Sequence, residues 1–382
     1  MHSSELARKI KPFLAMDVLE SAQKLEAEGQ DIVHLEIGEP DFETPVCIKE
    51  AAIKALQDGR THYTHSLGLL ELREAICEDY FKRYKVVIHP DQVVVTSGTS
   101  PAMLLCFAAL LEPDDSVIIS DPGYACYANF ILHARGIPVP VAVNEEDGFQ
   151  FRVQDIRQKI EAKTRAVMIN SPANPTGTLL SKERMEQLAG LEPCILSDEV
   201  YHGLEYGEKG HSILEFTDRA FVFNGFSKLY AMTGWRLGYV IAPWTFARDL
   251  RKLAQNLFIC APAMNQWAGI AALKEAGPDV SRMVKTYDQR RKFMLSRLKE
   301  LGFGIKTEPK GAFYILANSQ RFGTDSCKLA FDILEKAHVG VTPGIDFGRN
   351  AEGFLRFSYA NSLENIKLGM DRLQEYIEMR GK

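Results

Sequence analysis

Between residues 93 and 242, short runs of β-branched and other apolar residues alternate with segments of helix length, and this alternation limits the fold more than any other feature of the chain. The predicted strands are Val93 to Ser97, Val117 to Ser120, Pro138 to Val143, Ala166 to Asn170, Cys194 to Ser197, Ala220 to Asn224 and Leu237 to Ala242. Amphipathic segments lie between them, at Ser100 to Leu111, Tyr124 to Arg135, Arg152 to Glu161 and Ser181 to Gly190, each ended or followed by glycine or proline. Strands that return in the same direction need crossovers of this kind. The pattern therefore predicts an α/β fold with a mostly parallel seven-stranded sheet flanked by helices.

The texture changes after Pro278. Met283, Tyr287, Met294, Leu298 and Leu301 recur at helical spacing over a long, highly charged stretch, as in a helix that bridges two bodies. Beyond it, Ala312 to Ala317, Val339 to Val341 and Phe354 to Ser358 read as short strands set among helices, which suggests a smaller α+β domain. A chain of 382 residues is too long for one compact core. The expected division is a large domain over 45–280, a small one over 281–382, and an N-terminal segment, 1–44, whose helix around Leu14 to Glu28 packs with the small domain.

Composition narrows the function by exclusion. A net charge of -5 offers no basic footprint for nucleic acid or anionic lipid. The strongest uncharged stretch, Pro101 to Leu111, falls well short of the ~20 residues of a membrane helix. Charged residues interrupt the N-terminus at Glu5, Arg8, Lys9, Lys11 and Asp17, so it lacks the apolar core of a signal peptide and a cytoplasmic location is expected. The cysteines, Cys47, Cys77, Cys106, Cys126, Cys194, Cys260 and Cys327, are odd in number and show no CxxC, so neither a disulfide framework nor a metal site is suggested. A small-molecule ligand is the remaining default.

Five motifs carry chemistry. In GFSKLYAMTGWRLGY, residues 225–239, a turn of small residues places Lys228 directly after an apolar strand, and Arg236 follows eight residues later. Partial loss of water lowers an amine's pKa and makes it a nucleophile toward carbonyls, while Arg236 and the Ser227 hydroxyl can hold an anion. A phosphorylated aldehyde fits that pairing; a solvated lysine beside a surface ion pair is the plain alternative. SPANPTG, 171–177, sets Asn174 at a strand's carboxyl end, where ligands of α/β sheets gather. LSDEVY sets Asp198 at the end of another strand, with Tyr201 close behind. Such an acid can pair with a protonated ring nitrogen and such a phenol can reach a ring hydroxyl, although an acid there can also merely cap a helix. In TSGTS, Gly98, Thr99 and Ser100 open a helix with free N–H groups and hydroxyls, a phosphate cradle by dipole and geometry. Tyr124 in DPGYACY can stack on a planar ring or lie in the core.

Taken together and in this order, from LEIGEPDFETP near the start to FLRFSYA near the end, these motifs resemble the class I/II aminotransferases, pyridoxal-phosphate-dependent enzymes of fold type I. The resemblance implies that Lys228 carries the cofactor as a Schiff base and, once freed, moves the proton between the substrate α-carbon and the cofactor. It further implies that Asp198 pairs with the ring nitrogen, that Asn174 and Tyr201 bond the phenolic oxygen, and that Tyr124 stacks on the ring beside the substrate. Gly98, Thr99, Ser100, Ser227 and Arg236 would hold the phosphate. Arg356, with Asn174 and the backbone at Gly38, would grip the α-carboxylate. Tyr63 would reach the phosphate of a neighbouring subunit, which implies a homodimer with active sites at its interface. Cis bonds before Pro122 and Pro175 are also implied.

Two positions depart from the family pattern. Many relatives have serine where Gly225 stands, and some aspartate-preferring ones have a lysine at the position of Ser100. The expected reaction is ping-pong amino transfer between an L-amino acid and a 2-oxo acid, with neutral donors favoured over aspartate. A C–S β-lyase on the same scaffold is the enzymatic rival. A cofactor-sensing regulator would need a separate DNA-binding module, for which the chain has no basic segment to spare.

Overall fold

The computed structural model describes residues 2–380. Along the chain the strands are β1 (Val33–His34), β2 (Val93–Thr96), β3 (Ser116–Asp121), β4 (Ile137–Ala142), β5 (Thr164–Asn170), β6 (Cys194–Asp198), β7 (Ala220–Gly225), β8 (Gly238–Ile241), β9 (Tyr314–Asn318), β10 (Val339–Gly340), β11 (Thr342–Pro343) and β12 (Phe354–Ser358). Seven of them form one sheet in the order β2-β8-β7-β6-β5-β3-β4. All seven strands predicted between residues 93 and 242 are in it. The pairings from β4 across to β7 are parallel, whereas β8 runs against both of its neighbours.

The reversal at β8 has a local cause. No helix forms between β7 and β8, so the chain turns back as a long hairpin, closed by the Phe226 N–H donating to the Leu237 carbonyl at 3.1 Å. The two ends of that hairpin loop carry Ser227, Lys228 and Arg236. The interior strands β6, β7 and β8 are buried along nearly their whole length, which is why they read as continuous apolar runs rather than as alternation.

A three-stranded antiparallel sheet, β11-β12-β9, stands beside this layer, together with helices Gly277–Glu300, Ser326–Ala337 and Leu363–Arg380. Helix Leu14–Ala27 joins the same group: Val18 and Ala22 pack with Ile32 and Leu334, and β1 runs parallel to β10. The run Val339 to Val341, predicted as one strand, is two. Val339 and Gly340 pair with β1, the chain turns at Val341, and Thr342 and Pro343 pair with β12. Pro343 is tolerated because β11 is an edge strand. The helix expected over Tyr124 to Arg135 is the shorter Tyr127–His133, and the Gly123 N–H in the turn before it donates to the Phe347 carbonyl at 2.9 Å. The segment Arg152 to Glu161 is helical only over Val153–Arg157. The bonds before Pro122 and Pro175 are cis, and so is the bond before Pro172.

Candidate active site

A cavity of about 320 Å³ opens at the carboxyl ends of β5, β6 and β7, walled on its far side by Glu36 to Glu39, β9 and β12. Of the residues singled out in the sequence, Gly38, Thr99, Ser100, Tyr124, Asn174, Asp198, Tyr201, Ser227, Lys228, Arg236 and Arg356 all face it. Gly98 stands just behind Thr99. Tyr63 does not reach the cavity; it is 81% exposed on the segment between helices Val46–Gln57 and Leu70–Tyr84.

Lys228 is half-buried because the residues on either side of its turn, Phe226 and Leu229, are anchored in the core. Its Nζ donates to the Gly38 carbonyl at 2.5 Å. Loss of water is the main reason that its pKa is pushed down to about 8; Arg356 and Arg236 push the same way, against Glu39 and Asp198. A sizeable neutral fraction near physiological pH is what a carbonyl-directed nucleophile requires.

Asp198 ends β6 with one carboxylate oxygen accepting from the Tyr127 hydroxyl at 2.6 Å and the other from the Val200 N–H at 3.1 Å. Burial pushes its pKa up to about 6, although both hydrogen bonds and Lys228 pull it down. A positive partner arriving in the cavity would therefore favour its charged form. Asn170 joins this strand to the next functional turn: its Nδ2 donates to the Asp198 carbonyl at 2.8 Å and its Oδ1 accepts from the Asn174 N–H at 2.7 Å.

Opposite them, Arg356 on β12 is 2% exposed, and its hydrogen bonds go to neutral groups: Asn174 Oδ1 at 2.9 Å, the Glu36 carbonyl at 2.5 Å and Thr342 Oγ1 at 3.1 Å. Its Nε is buried without a partner. A buried cation without an anion is costly, so the arrangement suits an anionic ligand. The Glu36 side chain turns away to His34 Nδ1 at 2.6 Å and lends Arg356 only its carbonyl.

At the other end, Gly98 has φ +98° and precedes helix Thr99–Leu110, whose first N–H groups face outward. A Cβ on Gly98 would lie 2.5 Å from Arg236 Nη2, so the glycine and the guanidinium share one small space. Gly225 and Gly238 are direct cross-strand partners, and a Cβ on Gly225 would lie 3.0 Å from the Gly238 Cα. The missing serine hydroxyl thus goes with unusually close packing of β7 on β8. An anion cradle, a half-buried amine and a buried acid are the parts that a phosphorylated pyridine aldehyde needs, and the chain supplies them around one cavity.

Sequence reasoning missed Tyr127, Asn170 and Tyr314. Tyr127 follows Tyr124 by three residues and looked like an ordinary helical core position. Tyr314, in GAFY, looked like one more buried strand residue; its hydroxyl lies 2.9 Å from that of Tyr201.

The family described as "Aminotransferase class I and II" matches residues 30–373. The (5-formylfuran-3-yl)methyl phosphate transaminase of Methanocaldococcus jannaschii is 42% identical over 369 residues, covering 96% of each protein. The aspartate aminotransferase of Pyrococcus horikoshii is 41% identical, covering 97% of this chain and 95% of its own. The structure of aspartate aminotransferase from Thermus thermophilus with maleate superposes with a TM-score of 0.94 at 34% identity, covering 98% of this chain and 99% of that one. The family match begins before Gly38 and ends after Arg356, so it takes in the lysine hairpin, the acid-bearing strand and the buried arginine and leaves only Phe13, Ala15 and Met16 of the cavity wall outside. The chain therefore belongs to the class I and II aminotransferases, enzymes of fold type I that work with pyridoxal 5′-phosphate.

Proposed function

We propose that this aminotransferase works by a ping-pong cycle, one oxo acid leaving before the other enters, and that it prefers amino donors with neutral side chains. The observation that carries the reading is Arg356: a buried guanidinium with neutral partners, facing the same cavity as the Lys228 amine, suits the α-carboxylate of a substrate that the amine also meets. Bound pyridoxal phosphate supplies an electron sink for negative charge at that carbon. Lys228 Nζ holds the cofactor between turnovers and, when freed, takes the α-proton and returns a proton. Asp198 would keep the ring nitrogen protonated, Asn174 and Tyr201 would bond the phenolic oxygen, and Tyr124 would stack on the ring.

The phosphate falls to Gly98, Thr99, Ser100, Ser227 and Arg236. Gly98→Ala tests this end of the site. The added methyl would displace Arg236 and strain a left-handed backbone, and we expect the Kd for pyridoxal phosphate, followed by absorbance titration of apoenzyme, to rise by about tenfold or more. An unchanged Kd would remove Arg236 from the cradle.

The donor preference rests on the rest of the wall. Phe13, Ala15, Met16, Ile37 and Met103 are apolar, Glu39 is acidic, and Ser100 offers a hydroxyl where a lysine would receive a distal carboxylate. A second carboxylate on the donor would be buried without a fixed cation. With one oxo acid acceptor, kcat/KM should be higher for alanine, leucine or phenylalanine than for aspartate; aspartate ahead by more than about tenfold, ~1.4 kcal/mol, would reveal a distal cationic site.

A homodimer is part of the same proposal. Val46, Ile53 and Leu56 on one helix, with Tyr63, Leu70, Leu257 and Ile259, leave large apolar side chains exposed on the single chain, as a subunit interface would. A cytoplasmic location is supported by the seven cysteines, all of them free thiols.

A further inference from the structure

Tyr314, the first residue of β9, is 1% exposed and touches two residues that the proposed mechanism uses for different tasks. Its hydroxyl lies 2.9 Å from that of Tyr201, the two rings meeting edge to face with centroids 5.7 Å apart. Its ring face carries Arg356, whose Cζ is 4.3 Å from the centroid, and the Phe347 ring approaches the same guanidinium at 4.9 Å. The strand register builds this contact in. Ser358 is opposite Tyr314 and Arg356 is opposite Leu316, so Tyr314 and Arg356 are diagonal neighbours on one face of the sheet. The same hydroxyl accounts for Gly38, where a Cβ would lie 1.9 Å from it.

We infer that Tyr314 is a positioning residue that ties the two halves of the site together, its hydroxyl directing that of Tyr201 at the cofactor's phenolic oxygen while its ring holds the Arg356 fork in place for the α-carboxylate. This rests on the roles proposed above for Tyr201 and Arg356. Each phenol has one hydrogen to donate. When Tyr314 donates to Tyr201, the hydrogen of Tyr201 is left for the cavity, and the chain of two hydroxyls makes it a stronger donor. The charged groups that face the pair are Arg356 from β12 and Asp198 from β6, and burial keeps both phenols protonated by raising them above their ordinary range. On the other side, a guanidinium stacked on a desolvated ring cannot rotate out of the plane in which it meets a carboxylate.

The test uses holoenzyme and two readouts other than turnover: the midpoint of the pH titration of the bound cofactor's visible absorbance, and the Kd of 3-phenylpropionate, a carboxylate with no amino group to react. Tyr314→Phe should raise the midpoint by about half a pH unit, because a weaker donor on the phenolic oxygen disfavours its deprotonated form, and should leave the Kd within about twofold. Tyr314→Met, which keeps an apolar side chain on the strand but has no ring, should also raise the Kd by about tenfold. Tyr201→Phe and Arg356→Lys are the controls. If Tyr201→Phe moves the midpoint and Tyr314→Phe does not, the hydroxyl role is wrong; if Arg356→Lys weakens 3-phenylpropionate and Tyr314→Met does not, the ring role is wrong. Controls that move neither readout would overturn the assignments of Tyr201 and Arg356, and this inference with them. Lower thermal stability in both Tyr314 variants with both readouts in place would reduce Tyr314 to packing.

Discussion

Lys228→Ala is expected to abolish amino transfer, with a fall in kcat of at least about 10⁴-fold, and to end retention of the cofactor after borohydride reduction. The size of the effect follows from what else faces the cavity. Arg236 and Arg356 offer N–H donors and no basic lone pair. Burial raises the phenols of Tyr124 and Tyr201 well above their usual range, so neither is available as a base near neutrality. Asp198 is pinned between the Tyr127 hydroxyl and the Val200 N–H. No second amine faces the cavity among the described residues. In wild-type apoenzyme, a pKa pushed down from 10.5 to about 8 means that the neutral amine grows as pH rises through 8, so the rate of capture of an added aldehyde should climb over that range. Turnover above about 1% of wild type in Lys228→Ala, with no added amine, would take the proton-moving role away from Lys228.

Much of this was legible in the chain because the fold and the chemistry use the same local signals. Turn-forming residues after apolar runs mark strand ends, and a parallel sheet gathers its ligands at those ends, so Asn174, Asp198 and Lys228 could be named from their place after a strand. Arg236 could be named only from its place eight residues after Lys228; the hairpin that brings the two ends together through the Gly225 and Gly238 pairing is seen in the structure alone. What stayed hidden are contacts between elements far apart in sequence. Nothing near Tyr127 announces that its hydroxyl meets Asp198, 71 residues away, and nothing near Tyr314 announces Tyr201, 113 residues away. A buried tyrosine in an apolar run looks the same whether its hydroxyl meets a carbonyl or a catalytic acid. The break at Val341 was hidden because a run of apolar residues does not say which sheet each of them joins.

The acid and the amine illustrate how burial serves chemistry here. Both groups are moved toward neutrality by loss of water, Asp198 upward to about 6 and Lys228 downward to about 8. The site thus holds two groups that a ligand would change in opposite ways: a cationic partner would favour the Asp198 carboxylate, and a carbonyl would consume the neutral Lys228 amine. Arg356 differs, since a guanidinium is a fixed cation and its surroundings must accommodate a charge. Its carbonyl, amide and hydroxyl partners supply oxygen atoms, and the rings of Tyr314 and Phe347 supply polarisable faces.

Arg356→Ala should accordingly weaken amino acids and oxo acids alike, by about 2 to 5 kcal/mol, or roughly 30- to 5,000-fold in kcat/KM. The loss should fall mainly on KM, because in the proposed role the guanidinium would meet the α-carboxylate in the ground state as well as in the transition state, and removing it would take away binding common to both. It should be nearly equal for alanine and for phenylalanine, which share the α-carboxylate and differ beyond it. Arg356→Lys should fall between wild type and Ala: the charge survives, but the two parallel N–H donors do not, and a compact ammonium cannot lie flat between two rings. Cofactor binding is the internal control, since the proposed phosphate cradle lies at the opposite end of the cavity and pyridoxal phosphate should still bind Arg356→Ala with a Kd near that of wild type. Donor KM values within about twofold of wild type in Arg356→Ala, with cofactor content intact, would mean that the α-carboxylate is held elsewhere and that this buried cation is structural.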